Sequence, residues 1–147
     1  MRQKAGPSES SSERIVFGTK GRRFMFVDTC HAAGAYNVKL GNEAYHNDIT
    51  AFTATGQDEE ALELPELKQG VFSYAIARGL GPEAKSADTN GDNQVSVDEL
   101  AQFLAIKTSA VIDQYYPGYE AKWKLKKPKP QLYRARDALD HVLAQVE

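Results

Sequence analysis

Apolar positions along the chain begin late and then fall into a few clear patterns. Residues 1–14 hold Ser8, Ser10, Ser11, Ser12, Glu9 and Glu13 among few apolar side chains. Such a composition buries too little surface to offset the entropy of ordering, and it predicts a disordered tail ahead of a folded part at 15–147. The first strong run is Phe24-Met25-Phe26-Val27, short and without polar alternation, the pattern of a strand buried on both faces of a parallel sheet. Ile49-Thr50-Ala51-Phe52-Thr53-Ala54-Thr55, rich in β-branched residues and closed by Gly56, predicts a second strand. The residues between the two suffice for a crossover, so the strands can lie parallel. Between Gly70 and Leu80 the apolar residues Val71, Phe72, Ala75, Ile76 and Leu80 fall near helical spacing, and Gly81-Pro82 supplies a stop. A longer helix is predicted from Val97 to about Tyr115, with Leu100, Phe103, Leu104 and Val111 on one face. Pro128 and Pro130 then fence Gln131-Leu132-Tyr133, a candidate edge strand. Strand, crossover, strand, helix, helix, strand is an α/β order, and no internal repeat interrupts it.

Composition narrows the class. A chain of 147 residues with ordinary apolar and charged fractions predicts one globular domain. Its single cysteine permits no internal disulfide, which fits a reducing, cytoplasmic setting. No apolar run has the length of a membrane span and the amino terminus lacks a signal-peptide core, so no membrane partner is expected. The net charge of −2 hides a segment without acids that carries Lys122, Lys124, Lys126, Lys127, Lys129, Arg134 and Arg136. Trp123 and Tyr133 lie within it, but no nucleic-acid recognition motif accompanies them, and the segment reads as a solvated face.

Chemistry enters at Val27-Asp28-Thr29-Cys30-His31-Ala32-Ala33, where the only cysteine follows the first apolar strand. In α/β sheets the reactive groups gather at the carboxyl ends of strands, so Cys30 is a candidate nucleophile. The plainer alternative is a small buried hydrophobe. Residues Arg22 to Gly34 resemble the Asp-x-Cys-His-x-Gly nucleophile strand of caspase-like cysteine peptidases, in particular metacaspases and their bacterial relatives, with Gly34 one position later than in the commonest form of the motif. The resemblance extends over roughly residues 20 to 136: Ile49–Thr55 is similar to the next core strand, Gly56–Glu63 to the loop bordering the primary specificity pocket, and Gln69–Ala75 to the helix behind it.

The resemblance implies a three-layer caspase-like sandwich, here lacking its amino-terminal strands, and hydrolysis of protein or peptide substrates by a Cys/His pair. Cys30 would be the nucleophile and Asp28 the acidic floor of a pocket that takes Arg or Lys, since a carboxylate in such a place selects a cationic side chain. Asp58 would be a second member of that pocket, or a simple surface acid. A thiol at its free pKa needs a histidine to take its proton, yet no histidine precedes His31. His31 adjoins Cys30 and diverges from it at a strand end, while His46 and His141 read as solvated. The expectation is therefore a carboxyl-terminal part of the domain, inactive alone, whose open apolar edge at Phe24–Val27 awaits a strand carrying the histidine, either from a longer reading frame or from a complementary polypeptide.

A second motif stands apart. Residues 88–99, Asp88-Thr89-Asn90-Gly91-Asp92-Asn93-Gln94-Val95-Ser96-Val97-Asp98-Glu99, fit the twelve-residue EF-hand loop: side-chain oxygens at Asp88, Asn90, Asp92, Ser96 and Glu99, and a backbone carbonyl at Gln94. Asn93 replaces the usual glycine and is the residue that best tolerates a left-handed backbone there. Gly79, Gly81 and Pro82 spoil a regular incoming helix, and an Asp/Asn-rich turn that only caps the helix at Val97 is the simpler reading. Three functions follow: a cysteine endopeptidase in partial form, a noncatalytic relative that binds a partner through its sheet edge, or a Ca²⁺-binding module.

Overall fold

A computed structural model describes residues 22–28, 33–56 and 59–147. Their elements run β1 (Arg23–Val27), α1 (Ala33–Asn47), β2 (Ile49–Thr53), β3 (Glu63–Leu64), β4 (Gln69–Gly70), α2 (Val71–Gly79), α3 (Ala84–Ala87), β5 (Gln94–Ser96), α4 (Val97–Tyr115), α5 (Tyr119–Trp123), β6 (Gln131–Tyr133) and β7 (Val142–Gln145). The class is α/β. The expected tail, Cys30, His31 and Asp58 lie outside the described residues.

The main sheet has the order β1-β2-β6, with β1 parallel to β2 and β6 antiparallel to it. Helix α1 makes the crossover between the parallel pair. All five residues of β2 are buried, as its central position requires. Strand β1 departs from expectation: only Val27 is buried, and Phe26 is 40% exposed with its ring stacked on Phe52 at 5.1 Å. Among the described residues β1 has a neighbour on one side only, as the expected apolar edge at Phe24–Val27 requires, and this position accounts for its incomplete burial.

Strand alternation sends the two halves of each strand to different cores. Val27, Ile49 and Ala51 pack with Leu40 and Ala44 of α1, with Met25 and Tyr133 at the margin. On the other face Phe52 and Ala54 meet Phe72 and Ala75 of α2 and Leu100, Phe103 and Leu104 of α4. Helices thus cover both faces. Helices α2 and α4 approach so closely that a Cβ on Gly79 would fall 2.6 Å from the Phe103 ring. The second small sheet pairs β5 with β7 in antiparallel fashion. Its carboxyl-terminal strand has no apolar alternation, and nothing in the sequence reading anticipated it.

Candidate functional site

Two places in the fold concentrate chemistry. The first is the carboxyl end of β1. The β1–β2 ladder continues past Val27, whose carbonyl accepts the Ala54 N–H at 3.0 Å, and Asp28 is the next residue. Its carboxylate is exposed, yet it is held: the Ser73 hydroxyl in the first turn of α2 donates to Oδ2 at 2.7 Å. The same oxygen would lie 2.6 Å from a Cβ on Gly70, the residue that caps α2, so a side chain there would push the carboxylate aside. Ser73 thus holds the carboxylate and Gly70 leaves room for it, two roles that sequence reading missed. Both residues belong to a segment 42 and 45 residues downstream, legible only as a helix and its start.

Sequence reading missed Glu59 as well. The sequence suggests an ordinary surface acid there, but its Oε2 accepts the N–H groups of Gly56 and Lys129, both at 2.9 Å. One carboxylate oxygen therefore ties the loop leaving β2 to the segment entering β6, and it fixes the rim of the same sheet edge on which Asp28 sits. Cys30 and Asp58 are the neighbours in sequence that would complete this edge; both lie outside the described residues.

The described histidines stand at the opposite end. His46 closes α1 just before β2 starts, is exposed, and meets the Tyr45 ring edge-on at 5.1 Å. His141 is half-buried rather than solvated, because β7 brings the preceding chain over the sheet: its ring packs edge-on against Phe24 at 6.1 Å and its carbonyl accepts the Val97 N–H at 2.9 Å. Both line an open cavity of about 580 Å³ beside Arg22, Asp48 and Asp137, at the amino end of β1. A five-residue strand spans about 13 Å at ~3.3 Å per residue, so the two edges are well separated. Neither histidine can serve a group at the carboxyl end.

The second place is the acidic loop. Carboxylate oxygens of Asp88, Asp92 and Glu99 lie within 4.8 Å of one another. The loop winds around Asp88, whose Oδ1 accepts from Gly91 N–H at 2.8 Å and whose Oδ2 accepts from Asn93 N–H at 2.9 Å. Asn93 has φ 62° and Gly91 φ 75°, so the left-handed backbone anticipated at Asn93 is present and a second such residue precedes it. Asn90 Oδ1 accepts from Asp92 N–H, and Asp92 Oδ1 from Gln94 N–H, both at 2.9 Å.

Glu99 is the anchor. Oε1 accepts the N–H groups of Thr89 at 2.9 Å and Asn90 at 3.2 Å, while Oε2 accepts the Ser96 N–H at 3.0 Å. Burial pushes this carboxyl up, but the bonds from Ser96, Thr89 and Asn90 outweigh it, and its pKa falls below the ordinary carboxylate value. Ser96 in return accepts the Glu99 N–H through Oγ at 3.3 Å, a reciprocal capping box that starts α4. Of the six residues that the loop motif offers as ligands, the fold draws the three carboxylates together, while Ser96 Oγ serves the helix and Asn90 Oδ1 the loop backbone. The incoming helix is the single turn of α3, as Gly79, Gly81 and Pro82 require. Opposite β5, where a second loop would supply a strand, stands β7.

Comparison with protein-family models, with curated proteins and with solved structures returns no match.

Proposed function

We propose that this chain is the nucleophile-bearing part of a caspase-like cysteine endopeptidase that cleaves after Arg or Lys. The observation that supports it is the anchored Asp28 carboxylate. It stands at the carboxyl end of a parallel strand, two residues before the only cysteine, and the Ser73 hydroxyl holds it while Gly70 leaves room beside it. An exposed carboxylate held in one orientation is suited to a guanidinium or ammonium group, with Oδ2 bonded to Ser73 and no bond to Oδ1 among the described residues. In this reading Cys30 attacks the scissile carbonyl as the thiolate, and Asp28 places the cationic side chain that precedes the bond.

The proton acceptor then comes from outside the described residues. His46 and His141 occupy the far end of β1, and His31 directly follows Cys30. A strand bearing a histidine, added beside β1 on the side that has no partner among the described residues, would bring it to the right end of the sheet, and we expect the 147-residue chain alone to hydrolyse no peptide. A direct test of the pocket is nuclear magnetic resonance titration with benzamidinium. Shifts at Asp28 and Ser73 that vanish in Asp28→Asn are expected. Equal shifts with benzoate, or none with benzamidinium, would contradict the reading.

The acidic loop supports a second activity, Ca²⁺ binding. Asp88, Asp92 and Glu99 would hold the ion, and its role there is to neutralise three converging carboxylates and tie α3 to α4. Glu99 Oε1 carries two backbone N–H bonds and Oε2 one, so Oε2 is the more available oxygen for the ion beside the two aspartates. An unpaired loop with three carboxylates predicts weak affinity, on the order of 10⁻⁵ to 10⁻³ M. Calorimetry with CaCl₂ tests it, and absence of heat together with an unchanged melting temperature would remove it.

A further inference from the structure

We propose that residues 119–129 form a docking patch for the surface of an anionic lipid bilayer. The segment is short and pinned at both ends. Tyr119 packs against the cluster of Leu64, Val71, Val111 and Ile112. Lys127 Nζ lies 2.8 Å from Ser109 Oγ and 3.0 Å from both carboxylate oxygens of Asp113, and its N–H donates to Glu120 Oε1 at 3.1 Å. Both anchors reach back to the body of the protein, three of these bonds to α4, so what lies between them is presented rather than loose.

Between the anchors apolar and cationic residues alternate: Lys122, Trp123, Lys124, Leu125, Lys126. All five are exposed, Trp123 by 51% and Leu125 by 54%. Lys122, Lys124, Lys126 and Lys129 make no ion pair among the described residues; Lys122 Nζ rests over the Trp123 ring at 5.3 Å. No acid occurs from Ala121 to Arg136. Lys124 even occupies a left-handed position, φ 58°, at the end of α5, where glycine would be free of strain.

This combination matches the chemistry of a headgroup layer. Indole prefers the interface between water and hydrocarbon, a leucine beside it gains by entering the acyl boundary, and lysines flex outward to phosphate and carboxylate. A nucleic acid would stack on Trp123 but give Leu125 nothing, and the fork-shaped donor nearest the segment, Arg134, is committed to Asp98 at 2.6 Å. The surface contact requires no span; indeed no helix of the described residues is long and apolar enough to cross a membrane.

The full chain carries its own reporter, because Trp123 is its one tryptophan. Vesicles of phosphatidylcholine with phosphatidylserine should shift its emission to the blue and let brominated lipid quench it, whereas phosphatidylcholine alone should do neither. High salt should reverse the effect. Replacing Lys122, Lys124 and Lys126 together by Gln should weaken vesicle binding about a hundredfold, at ~1 kcal/mol per lysine. Leu125→Ser should weaken it while the thermal transition stays in place. Unchanged emission with anionic vesicles overturns the proposal. So does a triple variant that binds like the parent, or a response confined to RNA or polyglutamate, which would assign the patch to that partner instead.

Discussion

The Ser73 hydroxyl donates to Asp28 Oδ2 at 2.7 Å, joining the first turn of α2 to the carboxyl end of β1 across 45 residues of chain. The bond is exposed, so its contribution to stability is small, but it removes the rotational freedom of the carboxylate. Ser73→Ala should therefore leave the melting temperature nearly unchanged and lower the affinity for an amidinium ligand by about fivefold, corresponding to ~1 kcal/mol. Gly70→Ala should do the same by displacing Oδ2. Titration calorimetry with benzamidinium checks both variants; a large loss of stability with unchanged ligand affinity would show that the contact is purely structural.

Gly79 offers a test of the core. A Cβ there meets Phe103 at 2.6 Å and Leu100 at 3.1 Å, both on α4. Overpacking of this kind forces helices apart, and Gly79→Ala should cost about 1–3 kcal/mol in chemical denaturation despite alanine's better helix propensity. A stabilised variant would mean that α2 and α4 do not approach as described.

Glu99 predicts a pH dependence with a definite sign. Its carboxyl is held below the ordinary 4.5 in the folded chain, so the folded state favours the ionised form. The stabilisation it contributes is complete above that value and is lost as the pH falls through the lowered one. Glu99→Gln should thus be less stable than the parent near neutrality, by about 1–3 kcal/mol from poorer bonds to Thr89, Asn90 and Ser96. Below pH 4.5 the difference should shrink. Denaturation midpoints for both chains across this range give the answer, and a constant difference would contradict the assignment.

Calcium should act on the same loop from outside. Because the ion would bind only the native arrangement of Asp88, Asp92 and Glu99, saturating CaCl₂ should raise the melting temperature, and Asp92→Asn should abolish that rise while leaving the metal-free stability close to the parent's. Mg²⁺, which dehydrates reluctantly, should have less effect.

Much of the scaffold was legible because it is written in contiguous residues. The runs at Phe24 and Ile49, the helical spacing from Val71 and from Val97, and the proline fence around Gln131 each specify an element without help from the rest. What the runs do not carry is neighbourhood. Four apolar residues at Phe24–Val27 look alike in a central or an edge strand, and only the order β1-β2-β6 reveals Phe26 as exposed. Strand β7 escaped because its residues are half-exposed and it is defined by pairing with β5 rather than by its own pattern. The candidate site divides in the same way. Asp28 is legible by its distance of two residues from Cys30, and the carboxylates of the loop by their spacing; Ser73, Gly70 and Glu59 enter only through the fold.

The central claim, that Asp28 and Cys30 form a site for cationic peptides, is tested most directly by the rate at which Cys30 is alkylated by two matched thiol-reactive peptides, one ending in Arg and one in Asp. The parent chain should react faster with the Arg peptide by at least tenfold, corresponding to ~1.4 kcal/mol of charge recognition, and Asp28→Asn should bring the two rates together. Equal rates in the parent, or a preference for Arg that survives Asp28→Asn, would contradict it.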